Sequence, residues 1–166
     1  MTPWPSVTRR ALLSGAVALL VRPRSASAAG RKADYVVVYK AARRLDLLAH
    51  GEVVASYPIR LGANPLGPKI FELDGRTPEG VYMIDRHSRN TPYHLALHIS
   101  YPQPENRARA AQYKLPPGGA IFIHGTPGTG KRFARDWTDG CIAVSNRAIE
   151  EIWAAVVDGT PIEIRP

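Results

Sequence analysis

Ala120-Ile121-Phe122-Ile123-His124-Gly125-Thr126 and Thr138-Asp139-Gly140-Cys141-Ile142 are the two stretches whose reading decides the fold. The first is an apolar run halted by glycine after His124, so it reads as a buried strand feeding a glycine-rich loop. The second sets Gly140 directly before Cys141, and beyond it the pattern changes. Ile149, Ile152, Trp153 and Val156 recur at helical spacing, with Ser145 or Asn146 as N-cap and Gly159 past the C-terminus. Those four apolar side chains are expected to face the core. Thr160 to Ile164 alternates as a closing strand.

Toward the N-terminus, Val36 to Val38 between Tyr35 and Tyr39 form a β-branched and aromatic run, hence a buried strand. Leu45 to Leu48 and Val53 to Leu61, on either side of Gly51, read as a hairpin. Leu61 to Gly80 is rich in Gly and Pro and reads as loop. Val81 to Asp85 and Tyr93 to Ser100 are further strands, the second placing His94, Ala96, His98 and Ser100 on one face. Glu105 to Lys114 suits a short helix ended by Pro116-Pro117-Gly118-Gly119. The sum is a mainly β domain with one clear amphipathic helix after Cys141, not a βαβ series.

The chain has 166 residues, room for one ordinary domain. Its composition, 45% hydrophobic and 22% charged, excludes a largely disordered chain. Half of the +8 net charge comes from Arg9, Arg10, Arg22 and Arg24, which lie in the first 28 residues with no acid among them. The surplus left on the rest does not argue for nucleic acid, which needs a concentrated basic face. Arg9-Arg10, the short apolar run Ala11 to Val21 and Ala26-Ser27-Ala28 together read as a twin-arginine-like export signal, residues 1–28. The apolar run is too short to span a bilayer. The domain is therefore taken as 29–166, exported to the periplasm or cell envelope, with no stable membrane span.

A single cysteine excludes an internal disulfide framework and a Cys-rich zinc site. Gly125 to Lys131 fits most of a phosphate-binding loop, but Arg132 replaces the hydroxyl that would hold magnesium and Pro127 removes a backbone N–H. Nucleotide is excluded on that ground. His124, ending a strand beside glycine, can project at a loop mouth. Gly140 lets backbone approach a substrate, and N–H groups around Gly140 and Cys141 can serve a developing oxyanion. A thiol needs a base or a depressed pKa to attack, and His124 is the nearest base in the pattern.

This pattern, His124-Gly125-Thr126 and then Thr138-x-Gly140-Cys141, with sixteen residues between the histidine and the cysteine, resembles the signature of the L,D-transpeptidases, the YkuD-type catalytic domain. Further family-like strings are Gly62 to Lys69, Thr77-Pro78-Glu79-Gly80-Val81-Tyr82 and Asn146. The resemblance covers essentially the whole of 29–166. It implies a β-sandwich or barrel that acts on peptidoglycan stem peptides, both donor and acceptor, as a monomer with no metal and no organic cofactor. Cys141 would attack the amide between the L-centre of diaminopimelate and a terminal D-alanine. An amine of another stem peptide would then resolve the thioester into a 3→3 cross-link or a related wall linkage. His124 would move the proton, the Gly125 carbonyl would orient it, and the Gly140 backbone would serve the oxyanion. His98, Thr126, Thr138, Asp139 and Asn146 are the substrate-contact candidates. The chain departs from the common family form at Asp139, where many members have His, and at Ala143, where many have Arg.

Three other readings compete. The same thioester released to water gives an L,D-carboxypeptidase or amidase. A non-catalytic wall-binding module would keep Cys141 inert, whereas a reactive thiol is expected to alkylate quickly near neutral pH. A zinc peptidase would need His94, His98, His124 and Cys141 as ligands, a set that matches no familiar spacing.

Overall fold

The computed structural model describes residues 32–128 and 135–166. The export signal proposed for 1–28 and residues 129–131 of the phosphate-loop look-alike lie outside them. Eight strands form one sheet: β1 (Tyr35–Tyr39), β2 (Arg44–Ala49), β3 (Glu52–Pro58), β4 (Gly80–Ser88), β5 (Ala96–Ile99), β6 (Phe122–His124), β7 (Ile142–Ala143) and β8 (Thr160–Arg165). Their order across the sheet is β3-β2-β1-β8-β4-β5-β6-β7. Two helices accompany them, α1 (Pro104–Gln112) and α2 (Asn146–Ala155).

The valine run of β1 is buried throughout, and the strand lies inside the sheet between β2 and the closing strand β8, with which it pairs in parallel from Val36 opposite Ile162. The β2–β3 hairpin turns at His50 and Gly51, both left-handed at φ 53° and 82°, the conformation a two-residue turn of matching twist demands. The sheet curls until the chain leaving β3 reaches its far edge. There Arg60 and Ala143 exchange N–H to C=O bonds of 2.8 Å in each direction. Val36, Leu45, Tyr82, Leu97, Ile123 and Ile142 pack inside the curl and Ile149 and Ile152 of α2 join them. Ser145 caps α2 through its side-chain oxygen, which accepts the Ala148 N–H at 3.1 Å.

The Gly/Pro-rich segment after Leu61 is loop, but a tightly held one. Buried Lys40 donates to Gly67 O (2.6 Å), Thr77 O (3.0 Å) and Glu79 Oε1 (2.8 Å). Lys69 and Asp74, both buried, pair at 2.8 Å, and Asp74 also accepts the N–H groups of Ile70 and Arg76 at 2.7 and 3.0 Å. Each buried charge thus meets a partner.

Two expectations need correction. The strand read from Tyr93 to Ser100 begins only at Ala96, because Leu95 N–H turns back onto Tyr93 O at 3.0 Å and His94 takes a left-handed φ of 73°. His94 therefore does not share a strand face with His98. Trp153 packs against the core only in part. Its ring meets His87 edge-on at 4.4 Å and lies under the Arg89 guanidinium at 5.0 Å.

Candidate active site

β6 and β7 are parallel neighbours, with Ile123 opposite Ile142 and His124 opposite Ala143. Cys141 stands one residue before this ladder. Alternation puts Cys141 on the face of Ala143, and register puts Ala143 on the face of His124. The thiol and the imidazole thus rise from one side of two adjacent strands, and both line a cleft of about 630 Å³.

His124 is 3% exposed. Its Nδ1 lies 2.6 Å from Gly125 O, and a carbonyl can only accept, so Nδ1 carries a hydrogen. In the neutral ring that leaves Nε2 as a lone-pair acceptor. Burial holds the ring below the usual imidazole range, outweighing the Gly125 bond that pulls the other way. Tyr93 stacks on this ring at 4.4 Å and 34°, and Trp137 meets it edge-on at 5.7 Å. Cβ atoms cannot be added at Gly125, where one would come within 2.5 Å of Asn146 Oδ1 and 2.9 Å of Tyr93 O.

The Cys141 thiol donates to Ala120 O at 3.5 Å. Burial pushes it above the ordinary thiol range, and the Asp139 charge adds to that. The Phe122 N–H and the Lys69 charge act in the opposite direction. The resting pair is therefore a neutral thiol beside a neutral imidazole. The turn before it is braced by buried Thr138, whose Oγ1 donates to Cys141 O at 2.7 Å and accepts Gly140 N–H at 3.2 Å. Gly140 has φ 128° and lies against the 61–79 loop. A Cβ there would sit 2.5 Å from Arg76 O.

The remaining candidates divide. Thr138 and Asp139 line the cleft, and among its described lining residues Asp139 is the one carboxylate. Thr126 and Asn146 lie elsewhere, joined by Thr126 N–H and hydroxyl bonds of 2.7 and 3.1 Å to Asn146 Oδ1, on the wall of a second cavity. His98 is not in the cleft lining. It bonds Asp85 at 2.6 Å and meets Phe122 edge-on. His94 bonds Glu150 at 2.7 Å. His94 and His98 of the zinc reading are thus not gathered with His124 and Cys141, and among the described residues no group of three or more His, Cys, Asp or Glu is arranged to hold a metal. Sequence reading missed the cleft wall from Asn90 to Tyr93. Thr91-Pro92 was the signal, since proline marks a turn just before the strand read from Tyr93.

Residues 33–164 match the L,D-transpeptidase catalytic domain, YkuD. The chain is 31% identical over 138 residues to YafK of Escherichia coli K12, itself only provisionally named an L,D-transpeptidase, covering 76% of this chain and 50% of that one. Among solved structures, the helical cell shape determining protein Pgp2 of Campylobacter jejuni aligns at 28% identity with a TM-score of 0.66, over 79% of this chain and 46% of Pgp2. An L,D-transpeptidase of Xylanimonas cellulosilytica shares the fold at 16% identity and a TM-score of 0.54, over 81% of this chain and 61% of that one. This chain belongs to the L,D-transpeptidase catalytic domain family. It spans about half the length of the curated relative it matches.

Proposed function

We propose that the chain is a cysteine-dependent L,D-transpeptidase that joins peptidoglycan stem peptides through a thioester on Cys141. One observation carries the reading: a buried imidazole with its proton fixed on Nδ1 shares a face and a cleft with the protein's one thiol.

Each step follows from that arrangement. Because the thiol is held above its ordinary range, it must be deprotonated as it attacks, and the acceptor for its proton is His124 Nε2. Sulfur adds to the carbonyl carbon before the terminal D-alanine, and negative charge develops on the carbonyl oxygen. The Gly140 N–H already serves Thr138, so the Cys141 N–H is the donor for that oxygen. Collapse breaks the C–N bond, and the D-alanine amine leaves with the proton from Nε2. Neutral His124 then takes a proton from the attacking acceptor amine, and the thiolate leaves and is reprotonated. Asp139 is the acceptor contact in this scheme. A carboxylate beside the thioester draws a cationic amine more strongly than neutral water, which favours transfer over hydrolysis.

Residues 1–28 are the export signal in this reading, and the enzyme works in the cell envelope. Among the described residues no helix is long and apolar enough to cross a membrane. A role in cell shape, the property that names Pgp2, would follow from altered cross-linking. Mass spectrometry of muropeptides incubated with the purified protein tests the proposal. New 3→3 dimers are expected; trimmed monomers alone would make it a hydrolase, and unchanged muropeptides a binding module.

A further inference from the structure

A second cavity, about 690 Å³, opens at the seam where the chain leaving β3 meets β7. Its lining brings together Arg43, Arg60, Arg135, Thr126, Ser145 and Asn146, and no carboxylate side chain is among its described lining residues. Arg60 and Ala143 form a doubly hydrogen-bonded antiparallel pair, so their side chains leave the same side of the sheet. Position 143 offers only a methyl group there, and it forms part of the cavity lining. Arg43 is fixed by Asp136, with Nε at 3.0 Å and Nη2 at 2.7 Å. Arg60 and Arg135 are exposed.

The polar groups between the arginines are also turned as donors. Asn146 Oδ1 accepts both Thr126 bonds, which aims its NH2 group away from Thr126. Ser145 Oγ accepts the Ala148 N–H, leaving its own O–H to donate. The cavity therefore combines guanidinium charge with neutral donors, the chemistry that holds a carboxylate. It also adjoins the proposed reaction centre. Thr126 is two residues beyond His124 and Ala143 two beyond Cys141, a separation of about 7 Å along a strand. A peptide residue or two spans that distance.

We propose that this cavity is an anion subsite that takes a carboxylate of the peptide whose reacting amide lies at Cys141. The inference rests on the stem-peptide reading above, and its test is one of binding, so it does not depend on turnover. The full chain carrying Cys141→Ala is titrated calorimetrically with a stem tetrapeptide and with the same peptide amidated at its carboxylates. Arg60→Gln and, independently, Arg135→Gln are each expected to weaken the carboxylate peptide about tenfold, the loss of one charge-assisted contact. Neither should change the affinity of the amidated peptide, which should bind all three proteins alike. Thermal melting identifies a variant that has merely unfolded, and the other variant then decides. Unchanged affinity, equal weakening of both peptides, or no binding of either peptide would overturn the subsite. The thioester reading fails separately, by the absence of an acyl adduct on the protein that retains Cys141.

Discussion

Cys141 and His124 form a neutral pair, and that fixes how each should titrate. Burial holds the thiol above the ordinary 9.0, so alkylation should be slow at pH 7 and should keep accelerating beyond pH 9. Rapid labelling at neutral pH, the criterion that the sequence alone suggested for a reactive cysteine, is replaced by this rising profile. A plateau reached near neutrality would show a thiolate already formed. His124 is held below 6.5, so it remains a base as pH falls through that value. The kcat/KM profile should stay flat through pH 6.5 and decline only below it. His124→Ala should leave the fold intact and slow acylation by about 10²–10⁴, read as the rate of acyl-enzyme formation by intact mass.

At the scale of elements, the turn holding Cys141 is supported from beneath by the 61–79 loop. Gly140→Val would need a Cβ 2.5 Å from Arg76 O at a φ of 128°, so it should destabilise by at least about 2 kcal/mol in urea unfolding as well as displacing the thiol. Asp74→Ala would leave Lys69 buried without its partner and should cost about 3–5 kcal/mol. On α2, Ile149→Ala and Ile152→Ala should each cost about 2–5 kcal/mol. Trp153→Ala should cost only about 1–2 kcal/mol, since the ring contributes mainly its His87 and Arg89 contacts. These elements were unequally legible. The valine run of β1, the helix start at Ser145 or Asn146 and the strand ending at His124 were readable because each depends on neighbours close in sequence. The placement of His94, the Lys40 and Asp74 networks and the Arg60–Ala143 seam were not. They are set by partners distant in the chain or by one left-handed residue, and periodicity carries no trace of either. Thr126 and Asn146 were found by motif, but which cavity they line depends on how the sheet curls.

For the whole molecule, three titratable groups shifted by the fold make stability fall in acid in two stages. His124 has a folded pKa below its unfolded value, so its contribution is present above pH 6.5 and is lost as pH falls through the folded value. Asp74 and Asp136 follow. Their burial alone would raise them, but hydrogen bonds from Ile70 and Lys69, and from Arg43, hold both below 3.8, so their contribution is present above pH 3.8 and lost further down. Thermal melting across pH should show both losses, and His124→Gln should remove the first while leaving the second. The central claim, an acyl group carried on Cys141, is tested most directly by intact-mass spectrometry after exposure to a tetrapeptide donor ending in D-alanine. The wild-type chain should gain the mass of the tripeptide acyl group with release of D-alanine, and Cys141→Ala should gain nothing. An equal adduct on both proteins, or cross-linking that survives in Cys141→Ala, would contradict it.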